Sequence, residues 1–208
     1  MVVNDFNEKL DKMFPDARCE LNYNRDYELL IATVLSAQCT DKRVNEVTSV
    51  LFSTYDIYGL SKAKRVDIEK IIRSCGSYTK KSEYILEIAK SIVDKYNGVV
   101  PNDREYLESL PGVGRKTANV VLSNLFDVPT IAVDTHVERV SKRLKIARKN
   151  ASVLQVEKKL QKMIPMDLWS RSHHQMVLFG RYICKARGPE CSNCAFYDDC
   201  NCKEKKIQ

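Results

Sequence analysis

No stretch of this 208-residue chain stays apolar for the length of a membrane span, so no membrane partner is expected. The first residues, MVVNDFNEKLDKMF, do not join a basic segment to an apolar one as an export signal does, so the protein is expected to remain in the cytoplasm. Without export, its eight cysteines do not read as a disulfide framework. No run alternates convincingly between apolar and polar residues, which removes the usual sign of a half-buried strand. Internal repeats and low-complexity tracts are also missing. What remains is helical periodicity.

Leu29, Leu30, Thr33, Val34 and Ala37 recur at helical spacing behind Asp26, a candidate cap. Ile71 and Ile72, then Tyr84, Ile85, Ile88, Ala89 and Ile92, predict two helices broken near Cys75–Gly76. A short helix from Glu105 to Leu110 stops at Pro111, and a longer one runs from Arg115 to Phe126. Asp134 or Thr135 opens another, with Thr135 and Glu138 at capping-box spacing. The fold class is therefore all-α. Composition shifts near Asp127–Val133, after which the chain turns basic and then cysteine-rich.

The net charge of +7 is unevenly placed. Between Ser141 and Lys162 stand eight Lys or Arg and one acid, Glu157; 8 − 1 = 7, the whole net charge of the chain. Such a stretch suits a polyanion such as nucleic acid, or it is simply a solvated helix face.

The most specific stretch is LPGVGRKTANVVL, Leu110 to Leu122. Gly112, Val113 and Gly114 form a tight connector whose backbone amides an anion can approach, and the next helix points its positive end there. With the small Ala118 one turn in and basic Arg115 at the helix start, this is a helix–hairpin–helix pattern, which grips DNA phosphates without reading sequence. An ordinary helix-to-helix turn is the plainer alternative. Lys116 is either a further phosphate contact or a nucleophile that forms a Schiff base. An amine attacks only when unprotonated, and a helix N-terminus beside Arg115 disfavours the additional positive charge.

Asp134 stands alone as a helix N-cap, yet chain geometry permits more. Twelve helical residues from Arg115 travel about 18 Å, and the seven from Asp127 to Val133 can return about 23 Å when extended. Asp134 can therefore reach Lys116. A carboxylate there would not release the lysine proton; it would relay a proton or stabilise positive charge on a sugar. Cys184, Cys191, Cys194 and Cys200 follow a C-x6-C-x2-C-x5-C spacing. In a reducing compartment this is a metal site, and the spacing suits zinc as well as iron–sulfur. Cys19, Cys39, Cys75 and Cys202 read as bystanders, and His136, His173 and His174 as structural.

These segments together resemble the endonuclease III family over nearly the whole chain. The resemblance runs from LLIATVLSAQCTD (Leu29–Asp41) through LPGVGRKTANVVL and TIAVDTHVERV to FGRYIC (Phe179–Cys184) and the four-cysteine loop. It implies two helical domains, a six-helix module at 22–126 with the hairpin, and a discontinuous module of 1–21 with 127–208. It implies that Lys116 is the Schiff-base nucleophile, Asp134 its partner, and the four cysteines the ligands of a 4Fe–4S cluster. Gln38 would enter the space left by a flipped nucleotide, and Lys185 and Arg187 would meet phosphate. Near Cys75–Tyr78 the family often carries a leucine wedge, where Ser77 stands here. The activity implied is excision of oxidised pyrimidines from duplex DNA with strand cleavage at the abasic site, by a monomer. A monofunctional mismatch glycosylase on the same scaffold is the nearest alternative, and it would use water where Lys116 stands. A non-enzymatic hairpin protein that only binds DNA is the other.

Overall fold

The computed structural model describes residues 3–200, and among them no strand is formed. The helices are α1 (Val3–Met13), α2 (Asp26–Leu35), α3 (Asp41–Thr54), α4 (Ile57–Lys62), α5 (Arg65–Ile72) and α6 (Tyr78–Tyr96). There follow α7 (Arg104–Ser109), α8 (Arg115–Phe126), α9 (Thr135–Arg143), α10 (Val153–Met163) and α11 (Trp169–Leu178). They fall into two compact units: Cys19–Asp127, and the chain up to Arg18 together with the chain from Val128 onward. No helix among the described residues is long and apolar enough to cross a membrane.

The first unit is built around α2. Its residues from Tyr27 to Leu35 are all buried, and α3, α6 and α8 pack against it. A helix apolar on every side has no other stable place than the centre of a core. Asp26 is not its cap. Arg25 holds that position, and the Glu28 carboxylate reaches back to accept the Asn24 amide at 2.7 Å and the Arg25 amide at 3.3 Å. Asp26, one residue inside, instead accepts the Val100 amide at 2.6 Å and ties down the segment after α6. That segment begins where Asn97 and Gly98 turn left-handed (φ 51° and 85°) and Gly98 donates back to the Ile92 carbonyl, a helix stop that satisfies an orphan carbonyl.

Seven helices, rather than six, lie within residues 22–126. Ala63 and Lys64 adopt extended backbone and separate α4 from α5. Neither residue is a glycine or proline, so nothing in the composition marks the break.

The second unit gathers α1 with α9, α10 and α11. Phe6, Leu10, Val137, Val140, Val156, Leu160, Met176, Phe179 and Phe196 form its core. Phe196 lies between Phe6 and Phe179, with ring centroids 5.5 and 5.3 Å away. Gln175 on α11 donates to Asp11 at 2.6 Å and to the Phe14 carbonyl at 3.2 Å, locking α1 onto a helix more than 150 residues further along the chain.

Candidate active site

In the first unit the hairpin joins α7 to α8, and its two glycines differ in kind. Gly112 has φ +75°, and a Cβ there would lie 2.5 Å from the Tyr84 ring. The fold itself demands this glycine. Gly114 is the N-cap of α8 with ordinary extended backbone, and a Cβ added to it meets nothing within 4 Å. Its missing side chain leaves the first turn of α8 without a side-chain cap, which keeps that positive end open to an anion. Val113 is buried, so only its backbone faces the loop. Arg115 and Lys116, the first two residues of α8, are exposed, while Thr117 and Ala118 behind them are buried.

The two glycines should therefore fail differently. Gly112→Ala should cost at least about 2 kcal/mol of stability, from left-handed strain and overpacking, measurable by denaturant unfolding. Gly114→Asp should fold as well as the parent or slightly better, since Asp caps a little more effectively than Gly. If the open helix end holds a DNA phosphate, the variant should nonetheless bind DNA tenfold or more weakly, about 1.4 kcal/mol, because a carboxylate would stand in the way. Unchanged DNA affinity in Gly114→Asp would remove the helix end from the interface.

Gln38 and Ser77 lie in neighbouring loops of this unit. Both are exposed, and both have left-handed backbone, with φ 55° and 57°. A Cβ on Gly76 would sit 3.9 Å from the Gln38 carbonyl oxygen, so the two loops touch. Beneath them the buried Lys81 ammonium donates to the Leu35 carbonyl at 2.9 Å and the Ala37 carbonyl at 2.7 Å, fixing the end of α2. Burial pushes the Cys75 thiol up to about 11, helped by its hydrogen bond to Cys39. Strain of this kind is retained where a side chain must be presented. Gln38→Gly should thus hold or raise stability by up to about 1 kcal/mol while slowing excision, a trade-off visible by pairing thermal unfolding with an activity assay. A loss of stability would show that Gln38 packs rather than protrudes.

In the second unit, Asp134 caps α9. Its Oδ1 accepts both the His136 and Val137 amides at 2.8 Å, and its Oδ2 takes no hydrogen bond from the described residues. The cap thus engages one carboxylate oxygen and leaves the other uncommitted. Thr135 is the first helical residue rather than the cap.

Sequence reading missed the residues that fasten α9. Arg139, half-buried, donates to the Cys184 carbonyl at 3.0 Å and the Gly180 carbonyl at 2.7 Å, and meets His136 Nδ1 at 3.2 Å. Arg143, one turn on, donates to the Lys185 carbonyl at 2.6 Å and the Ala186 carbonyl at 3.3 Å and approaches the Cys184 sulfur at 3.5 Å. Gly180 permits the contact, because a Cβ there would lie 2.7 Å from the His136 Cβ. Residues Phe179–Ile183 form one π-helical turn, closed by the Cys184 amide on the Phe179 carbonyl at 2.7 Å. The i, i+4 arginines of VERVSKR were the available signal; their partners some 45 residues away were not.

Cys184, Cys191, Cys194 and Cys200 line a single cavity, walled by Leu144, Phe179, Ile183 and Tyr197 and bordered by Arg143. Among the described residues no trio of His, Cys, Asp or Glu is gathered as around one metal ion. Four cysteine sulfurs around one cavity are donors suited to iron–sulfur and to zinc alike. Burial pushes the Cys194 thiol up to about 11 and raises Cys184 as well, although Arg143 opposes the second shift. Such thiols give up their protons when a cation draws in the thiolates. The histidines stand apart: burial lowers His174 to about 4, which keeps it neutral at neutral pH. Lys185 is paired with Glu190 at 2.9 Å, whereas Arg187 is exposed beside Gly188. Cys202 lies outside the described residues.

A family model described as HhH-GPD superfamily base excision DNA repair protein matches residues 31–166. The endonuclease III of Bacillus subtilis (strain 168) is 48% identical over 200 residues, which cover 96% of this chain and 91% of that protein. The endonuclease III of Escherichia coli (strain K12) is 44% identical over 192 residues, 92% of this chain and 90% of that one. A solved structure of a trapped endonuclease III–DNA covalent intermediate, an estranged-adenine complex, matches with a TM-score of 0.92 at 50% identity, over 99% of this chain and 97% of that one. A thermostable thymine-DNA glycosylase matches in fold alone, at a TM-score of 0.81 and 23% identity. With a family model covering more than half of the chain, and relatives this similar along almost all of it, the chain belongs to the endonuclease III family of base excision DNA repair proteins.

Proposed function

We propose that this chain excises oxidised pyrimidines from duplex DNA and then cleaves the strand at the abasic site through a Schiff base on Lys116. The observation that carries this is the exposed lysine at the second position of α8, directly behind an uncapped hairpin. A relative 50% identical in sequence forms a trapped covalent intermediate with DNA, which requires a nucleophilic group of the protein rather than water. The Lys116 amine attacks C1′ of the flipped nucleotide, and the C1′–N bond breaks as the base leaves and takes up a proton. The C1′–O4′ bond then opens, with O4′ taking a proton and the lysine nitrogen losing one, to leave an imine; this acidifies the C2′ proton, whose removal expels the 3′ phosphate. Asp134 supplies Oδ2 to carry a proton or to stabilise charge on the sugar, while Oδ1 keeps α9 capped. Gln38 fills the vacated stack, with Ser77 beside it.

Gly112, Val113 and Gly114 offer backbone to a phosphate, with Arg115 alongside. In the cysteine loop Arg187 is the freer phosphate contact, because Lys185 is engaged by Glu190. Cys184, Cys191, Cys194 and Cys200 would hold a 4Fe–4S cluster, whose chemistry when bound is to tie the loop together with four thiolate bonds. Arg139 and Arg143 then couple that loop to the helix that Asp134 caps.

Borohydride reduction during reaction on a duplex carrying an oxidised pyrimidine tests the reading. A covalent protein–DNA adduct is expected, and excision without any adduct would favour the water-using, monofunctional alternative. Protein purified gently should be yellow-brown, with about four irons per chain. Cys194→Ser should lose the colour and weaken DNA binding. Stoichiometric zinc in a colourless protein would defeat the cluster assignment.

A further inference from the structure

Five of the eight cations between Ser141 and Lys162 line one open cleft. Lys145 and Arg148, from the connection after α9, face Lys158, Lys159 and Lys162 on α10 across a volume of about 660 Å³, with Asn150 and Gln155 between them. All five cations are exposed, and none has an ion pair among the described residues. The remaining charges of the stretch leave this face unneutralised. Lys142 is paired with Glu138, Arg143 is turned onto the cysteine loop, Lys149 is exposed outside the cleft lining, and Glu157, the one acid, is buried and accepts from Gln161. Concentrated like charge around a concave surface is unfavourable alone and attracts a polyanion.

We propose that this cleft is a second phosphate-binding surface, which takes the backbone of duplex DNA flanking the lesion beyond the cysteine loop. The inference rests on the DNA-lyase reading above. Continuity within the second unit favours DNA over an acidic protein segment. Arg143 holds the carbonyls of Lys185 and Ala186, Leu144 lines the cysteine cavity, and Lys145 to Ala147 line the cleft. A strand that meets Arg187 on that loop is thereby led round the end of α9 to Lys145. The amides of Asn150 and Gln155 suit phosphate oxygens, which carry no sequence information.

The test uses the full-length, cluster-loaded protein and the triple variant Lys158→Gln, Lys159→Gln, Lys162→Gln. These residues are exposed on α10, whose buried face is Val156, Glu157 and Leu160, and Gln is nearly as good a helix former as Lys. Binding is measured against salt on abasic-analogue duplexes of about one and about three helical turns. On the long duplex the variant should bind at least tenfold more weakly at low salt, and the slope of log affinity on log salt should fall by about 0.9 for each phosphate released. On the short duplex the two proteins should coincide, with equal borohydride trapping when the analogue is replaced by a true abasic site. Equal slopes on the long duplex would overturn the proposal, as expected if the cleft serves an acidic protein partner. An equal loss on both duplexes would overturn it too, because the effect would then be general charge or stability. If the parent itself traps no adduct, the lyase reading fails while the length dependence can still be read.

Discussion

Lys116→Gln protein should bind abasic-site duplex with nearly parental affinity and yield no borohydride-trapped adduct. Gln keeps most of the length of the side chain and its polar end, and it is accepted at the start of a helix. Position 116 is exposed on α8 and contributes nothing to the packing behind it, where Thr117 and Ala118 are the buried residues. The hairpin backbone, Gly114 and the open end of α8 remain, so the phosphate grip proposed for them should remain. What is lost is the amine, and with it the covalent step. Strand cleavage should fall by at least about a thousandfold, roughly 4 kcal/mol of barrier. The two measurements belong together: binding by gel shift or anisotropy, and trapping under identical conditions. Undiminished trapping would move the nucleophile to another lysine or to the terminal amine, and the hairpin would then be a DNA grip only. A joint loss of binding and trapping would mean that Lys116 acts chiefly as a phosphate contact.

The sequence exposed some of this architecture and hid the rest for definable reasons. The helix from Arg115 to Phe126 was legible to the residue, because Gly112 and Gly114 punctuate its start and its apolar residues keep one period. The start of α2 was misplaced by one residue. Asp26 is a good cap by type, but Glu28 reaches back to the preceding amides and Asp26 is needed by Val100, 74 residues away. Local propensity carries no trace of such a demand. The same holds for Gly112: its turn was visible, whereas the Tyr84 ring that excludes any side chain was not. Arg143 looked like part of a basic run and Arg139 was not singled out, and their work on the carbonyls of Gly180, Cys184 and Lys185 appears only when the chain is folded. Spacing brought the four cysteines together on paper. The cavity they share, and the plug formed by Phe196 between Phe6 and Phe179, needed tertiary structure.

Asp134→Asn should fold, bind damaged duplex and excise bases at least a hundredfold more slowly, about 2.7 kcal/mol of barrier. Asn is the discriminating substitution because the cap uses one oxygen. Oδ1 accepts the His136 and Val137 amides, and an Asn carbonyl accepts them equally well. The helix should therefore survive, with Val137 and Val140 still in the core and Arg139 still on the cysteine loop. Only the second oxygen changes, from an uncommitted carboxylate oxygen to an amide that can neither accept a proton usefully nor offset positive charge. If the carboxylate serves departure of the base, excision of an intact damaged base should suffer most. Cleavage of a preformed abasic site should suffer less, since no glycosidic bond remains and no charge builds on the sugar as a base departs. Asp134→Ala supplies the control, losing cap and charge together and costing about 1 kcal/mol of stability that Asn retains. Excision by Asp134→Asn at the parental rate would reduce the residue to its cap. An equal fall in both reactions would place the carboxylate in the Schiff-base steps and not in base departure.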